Sequence, residues 1–291
     1  MSIKTYCPES LDLRGGFLNI YLFLTLMVDE NDGLEVIVAQ IITRKDPEEY
    51  EEFMKTAPYE PETLFIVMRY DCVYSCDHCF FYSNPNAKGV LPDETIDKAI
   101  DFAAQSSSIE RVILTGGEPM LDPPKTFRAL RRIVDEGLTA DLQSAYLGGT
   151  QEEIKQNART LADIGIDRFR TSLSMYHERS KPDSMQEDYL DNLVMVMDAL
   201  TRNGIWVSIK VTWDEEIRYE SSEHSNEFAR RLQRAGAQFI GEVEDQYTFR
   251  MNNGLIGITD PGGSSVITIG NARHHKLESQ DYGISGDELY T

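Results

Sequence analysis

No stretch of this 291-residue sequence strings together the roughly eighteen apolar residues that a membrane-spanning helix needs. The N-terminus, Met1-Ser2-Ile3-Lys4-Thr5-Tyr6-Cys7, also lacks the apolar core of a secretory signal, so nothing is expected to export or anchor the chain, and a cytoplasmic location is expected. Basic residues are scarce. There are 28 Lys and Arg against 49 Asp and Glu, a formal charge of −21, and such a field repels nucleic-acid phosphate unless a local basic face exists. The best such face, Arg128, Arg131 and Arg132 on one expected helix, is small, so a nucleic-acid partner is not expected. The acidic balance instead favours cationic substrates, or simply aids solubility. Only 4 Cys are present, and most of them are clustered, which suits a reducing compartment and excludes a disulfide framework.

What is present is a globular composition, 41% hydrophobic, in a chain long enough for one large core or a main domain with a small accessory one. Within it Cys72-Val73-Tyr74-Ser75-Cys76-Asp77-His78-Cys79 forms a C-x3-C-x2-C array directly after the apolar run at 64–70, so a strand delivers the chain to a tight thiolate loop. Closely spaced Cys can each ligate one iron of a [4Fe–4S] cluster, and three thiolates on four irons leave one coordination position open for a reacting molecule. The same spacing also suits a tetrahedral zinc site of Cys72, Cys76 and Cys79, with His78 or Cys7 as fourth ligand, in a protein that acts as a binding module rather than an enzyme. A second buried-strand pattern, Arg111 to Thr115, runs into Gly116-Gly117-Glu118-Pro119, for which zinc has no use. The glycines permit close backbone approach, Pro119 stiffens the exit and Glu118 supplies an acceptor.

With both motifs in this order, the chain resembles the radical S-adenosylmethionine enzymes over roughly residues 62 to 243. The resemblance implies that Cys72, Cys76 and Cys79 hold the cluster, with His78 where an aromatic is usual, and that Gly116, Gly117, Glu118 and Pro119 hold the amino group of the cofactor's methionine. It further places Ser172 where a Ser contacts the cofactor's ribose or carboxylate, and Ser144 where a strand-three Thr is common. The usual Thr-Asn-Gly is here Ser144-Ala145-Tyr146, and the usual Ser-Leu-Asp is Ser172-Leu173-Ser174. Arg179 is a candidate for the cofactor carboxylate. No Cys follows residue 79, which argues for a single cluster. The implied activity is reductive cleavage of S-adenosylmethionine, fed by a one-electron donor such as a flavodoxin or ferredoxin, to a 5′-deoxyadenosyl radical that takes hydrogen from substrate. A small polar or cationic metabolite, or a natural-product intermediate, fits the charge. A ribosomally made peptide is the alternative.

From residue 62 the pattern alternates strand and helix as βα units require, with strands expected near 64–70, 110–115, 139–145, 167–174, 205–212 and 237–243, and helices near 93–106, 125–136, 151–164, 188–203 and 222–235. Six parallel strands fall short of a closed barrel, so the expected fold is α/β, an open partial (β/α)6 TIM-like barrel over residues 61–243. Residues 1–60 read as a small β-β-α appendage, with a hairpin over 17–28 and 34–42 and a helix from 46 to 54. Its plain role is to cover a sheet edge; a sharper one is a platform for a peptide by strand addition. Residues 244–291 read as a short β extension and tail, with strands at 247–251, 255–259 and 266–269. Alternation puts Arg170, Ser172 and Ser174 on one strand face, and Ser208, Lys210 and Thr212 on the next, giving a barrel interior suited to a polar ligand, with Lys210 a cofactor-binding candidate. Tyr176 and His177 lie at the mouth as candidate acid–base groups, and Cys7 is a candidate hydrogen donor.

Overall fold

The computed structural model describes residues 21–29, 33–42, 62–77, 79, 81–180, 188–212, 218–243 and 246–259. The helix expected at 46–54, the strand at 266–269, Cys7 and His78 lie outside these residues. The strands are β1 (Tyr21–Asp29), β2 (Gly33–Ile42), β3 (Thr63–Val67), β4 (Arg111–Thr115), β5 (Thr139–Gln143), β6 (Arg168–Ser174), β7 (Trp206–Thr212), β8 (Gln238–Val243), β9 (Gln246–Met251) and β10 (Gly254–Thr259). The helices are α1 (Asp93–Gln105), α2 (Pro123–Asp135), α3 (Gln151–Ile164), α4 (Met175–Arg179), α5 (Tyr189–Arg202) and α6 (Arg218–Arg234).

These strands form one sheet of 10, in the order β2-β1-β3-β4-β5-β6-β7-β10-β9-β8. Adjacent strands from β1 through β3 to β7, and then β10, pair parallel, while β2 at one end and the β9–β8 pair at the other run antiparallel. The ends of the sheet, β2 and β8, do not pair with each other, so the barrel stays open. The hairpin of β1 and β2 continues the main sheet through Leu22↔Leu64, which moves the sheet edge from β3 out to β2.

Helix boundaries follow their end residues. Asp93 and Glu94 open α1 near the positive end of its dipole, and Thr150 with Glu153 forms a capping box on α3. Asp188 caps α5 by accepting from the backbone N–H of Leu190 and Asp191. The helices bury apolar stripes against the outer face of the sheet, where Leu64, Leu114, Leu142, Phe169, Val207 and Ile256 belong to one continuous core. Three of the four basic residues of α2 are engaged with the acids of α1: Lys125–Asp93 at 2.7 Å, Arg128–Asp97 at 2.8 Å and Arg132–Asp101 at 2.5 Å. Two of the three arginines of the expected basic face therefore serve helix packing.

One strand is not where its sequence suggested. Residues 237–243 follow a helix and were expected as the sixth parallel strand, but β10 occupies the place beside β7, in the register Ile256↔Val207 and Ile258↔Ile209. The strand β8 is instead the outer member of an antiparallel β8–β9–β10 meander. The reason is burial. A parallel strand covered on both faces must be almost continuously apolar, which Leu255-Ile256-Gly257-Ile258 satisfies better than Gln238-Phe239-Ile240-Gly241-Glu242. Ile256 is 0% exposed and Ile240 is 45% exposed.

That placement gives a direct test. Ile256→Ala should cost about 2–5 kcal/mol of stability, as large-to-small core changes do, whereas Ile240→Ala should change it by less than about 0.5 kcal/mol. Equilibrium urea melts measure both. The reverse ranking would put residues 238–243 back inside the sheet.

Candidate functional site

The residues singled out by the two motifs come together at the C-terminal ends of β3, β4, β5 and β6. After β3 the chain passes through Met68 to Asp71 and enters the Cys loop. The turn after β4 lies directly on this segment, with Gly117 N–H donating to Arg69 O at 2.7 Å and Glu118 N–H to Asp71 O at 2.9 Å. A Cβ at Gly116, which has φ +134°, would stand 2.5 Å from Arg69 O, and one at Gly117 only 2.2 Å from Asp71 O. Both glycines are thus required by backbone packing before any ligand is considered. Pro119 opens a short 3-10 turn, and its carbonyl accepts from Thr126 Oγ1 at 2.7 Å, which fixes the turn to α2.

Glu118 is 0% exposed and ties the next strand to this turn. Its Oε1 accepts from Met120 N at 2.9 Å and contacts Ser144 Oγ at 2.6 Å, while Oε2 accepts from Ala145 N at 3.0 Å. Burial raises its pKa from 4.5 to about 7, against hydrogen bonds from Ser144, Met120, Ala145 and Tyr146 that pull it down. Ser144 Oγ has one proton and two oxygen neighbours, Glu118 Oε1 at 2.6 Å and Tyr146 O at 2.5 Å. A proton on Glu118 satisfies both contacts at once, consistent with the raised value.

The Cys loop is held from inside. Tyr74 is 1% exposed, its hydroxyl donates to Ala145 O at 3.4 Å, and with Cys76 and Tyr176 it forms a small buried cluster that Cys72, Cys79 and Met175 pack against. The His177 ring lies 4.7 Å from the Tyr74 ring, and its Nδ1 is 3.5 Å from the Tyr189 hydroxyl, which donates to Ser172 O at 3.0 Å. Tyr189 in turn stacks on His224, whose Nδ1 is 3.4 Å from Glu178. Burial lowers the His177 pKa to about 4, so the ring is neutral near pH 7. His177 and Tyr176, expected at an open mouth, are wall residues that join the Cys loop to the end of β6.

The three thiols form no disulfide among the described residues. Backbone N–H groups of Tyr74 and Ser83 lie 3.4 Å and 3.3 Å from the sulfurs of Cys72 and Cys79, and Ser180 Oγ is 3.6 Å from Cys76 Sγ. Burial pushes the Cys72 thiol up strongly and the Cys76 thiol to about 12, whereas a coordinated thiol is deprotonated outright by the metal's charge. The donors already aimed at the sulfurs suit that charged state. Among the described residues, no three His, Cys, Asp or Glu side chains converge on a point that would hold a single metal ion. Thiolates that each hold a different iron of a cluster need no such convergence.

The remaining candidates separate by position. Ser144 belongs to the Glu118 clamp. Ser172, partly exposed, lies on the concave face in register with Lys210, which is exposed. Arg179 is exposed at the end of α4. Tyr74, Tyr189 and Asp141 were not singled out from sequence, because their importance comes from partners distant along the chain.

The raised pKa of Glu118 makes a signed prediction for the metal-free protein. A carboxyl whose folded pKa exceeds its unfolded one binds the extra proton only when folded, so its stabilisation is complete below pH 4.5 and is lost as pH rises through about 7. Between pH 4.5 and 8 the parent should lose on the order of 3 kcal/mol relative to Glu118→Gln, which has no proton to lose. Denaturant melts of both proteins cancel the opposing contribution of the buried histidines. A pH-independent difference would remove the assignment.

The family model described as the Radical SAM superfamily matches residues 66–237. YydG of Bacillus subtilis (strain 168), whose name assigns it to peptide biosynthesis, is 25% identical over 118 residues, 40% of this chain and 37% of that one. Among solved structures, methylornithine synthase (PylB) superposes with a TM-score of 0.46 at 16% identity, covering 58% of this chain and 50% of that one. Streptococcus suis SuiB bound to S-adenosylmethionine superposes at 0.43 and 16% identity, covering 62% and 42%. The chain spans half or less of the length of each of these relatives. The matched region takes in the Cys loop, the turn after β4 and the ends of β5 and β6, and the chain belongs to the radical SAM superfamily, enzymes that use a [4Fe–4S] cluster and S-adenosylmethionine.

Proposed function

We propose that the chain modifies a ribosomally synthesised peptide by radical S-adenosylmethionine chemistry. Cys72, Cys76 and Cys79 ligate three irons of the cluster. Gly116 to Pro119, with Ser144, Ser172, Arg179 and Lys210, line the cofactor's side of the site. Bound there, cluster and cofactor would supply one-electron reductive chemistry able to remove hydrogen from an unactivated carbon. The protein's own residues do the holding. Glu118 fixes the turn to the end of β5, while Tyr74, His177 and Tyr189 fix the Cys loop to the end of β6 and keep water from that wall.

The observation that carries the peptide reading is the similarity to YydG across 118 residues. The ground for a cationic small molecule weakens at the same time, because from β4 to β7 the concave face carries more basic than acidic residues. By strand alternation that face carries Arg111, Arg168, Arg170 and Lys210, with Asp141 the buried acid among them. Radical SAM enzymes need a reductant, and a flavodoxin or ferredoxin is the proposed donor here.

The test is turnover. The reconstituted enzyme, given S-adenosylmethionine, dithionite and synthetic peptides encoded by short reading frames beside its gene, should form 5′-deoxyadenosine about tenfold faster with one of those peptides than without any. That peptide should also change in mass or exchange hydrogen with the cofactor. Stimulation by a small-molecule extract, with none from the peptides, would overturn the reading.

A further inference from the structure

On the concave face Asp141 is 0% exposed, and both its oxygens are taken: Oδ1 accepts from Arg111 Nη1 and Oδ2 from Arg170 Nε, each at 2.6 Å. A buried carboxylate of this kind orients its partners. Arg111 is further occupied by Asp167 at 2.9 Å, so its charge is spent within the protein. Arg170 differs. Its bond to Asp141 uses Nε alone, the side chain keeps 30% of its surface exposed, and its two Nη groups make no hydrogen bond to the described residues. Gln143 stands beside it in register on β5, exposed and likewise without a hydrogen bond among the described residues. Ser172 and Lys210 form the next pair towards the mouth of the sheet.

A guanidinium held by one edge presents its remaining N–H groups as a fork that matches a carboxylate, and the planar pairing gives direction as well as charge. We propose that Arg170, oriented by Asp141 and flanked by Gln143, binds a carboxylate of the substrate peptide, either its C-terminus or an acidic side chain. This rests on the peptide reading above. The cofactor carries a carboxylate too, but the proposed cofactor set already includes cations, Arg179 and Lys210. In a chain of net charge −21, a forked cation kept free beside an uncharged amide selects for an anionic group against the general field.

The probe is N-acetylglycine, a carboxylate on a peptide unit, with its neutral amide, N-acetylglycinamide, as the control. Binding to the full-length reconstituted enzyme is followed by saturation-transfer NMR, and S-adenosylmethionine affinity by calorimetry. N-acetylglycine should bind and the amide should not. Arg170→Lys keeps a charge for Asp141 but loses the fork, so it should weaken N-acetylglycine about tenfold and leave S-adenosylmethionine affinity within about twofold. Gln143→Glu alters an exposed position that can fold unchanged, and it supplies a competing carboxylate to Arg170; it too should weaken the probe about tenfold. Equal binding of the amide, undiminished N-acetylglycine binding in either variant, or a loss confined to S-adenosylmethionine would overturn the assignment. The probe needs no peptide turnover, so the peptide can prove to be the substrate while this contact fails, and the contact can hold while the peptide fails.

Discussion

A carboxylate with no exposed surface survives only if donors meet its oxygens, and at Glu118 those donors come from two different strand ends. Met120 N belongs to the turn after β4, while Ser144 Oγ and Ala145 N belong to the segment after β5. The same turn is pressed onto Arg69 and Asp71, at the entrance to the Cys loop, so closely that neither Gly116 nor Gly117 could carry a side chain. One buried acid therefore sets the relative positions of the thiol loop, the turn and the third strand end. The fourth strand end is joined through Tyr74, His177 and Tyr189. These contacts make the mouth of an open sheet rigid enough to hold a reactive centre, a role for which loops alone are less precise.

Much of this was legible because it is local. The strands from β3 to β7 announce themselves as apolar runs or as apolar–polar alternation, and most of the helices between them by acids or Pro at their starts and Gly after their ends, which fixes the βα order without knowledge of contacts. The two motifs are contiguous and sit at strand ends, so the sequence was enough to bring them to one place. Alternation also gave the facing of Arg170, Ser172 and Lys210. The misplaced strand shows the limit. A segment after a helix looks like the next parallel strand, but the competition between residues 238–243 and 254–259 for the buried place beside β7 is settled by burial on both faces, a non-local quantity.

The site shows the same division. Tyr74 occupies one of the variable positions between the first two Cys, and Tyr189 opens a helix more than one hundred residues later; neither carries a signal until the fold stacks them against His177. His177 reads as a mouth residue because it follows β6, yet α4 turns its ring inward, where burial keeps it neutral. Net charge misled in a related way. A total of −21 does not say where the charge lies, and the concave face of β4 to β6 is built on Arg111, Asp141 and Arg170.

The central claim is that the Cys72–Cys79 loop holds an iron–sulfur cluster with one iron left for S-adenosylmethionine. The most direct test is metal analysis with electron paramagnetic resonance of the anaerobically reconstituted, dithionite-reduced protein, before and after addition of S-adenosylmethionine. The account predicts about four irons per chain and a cluster signal that changes when the cofactor is added. Zinc as the bound metal, or an iron signal indifferent to S-adenosylmethionine, would contradict it.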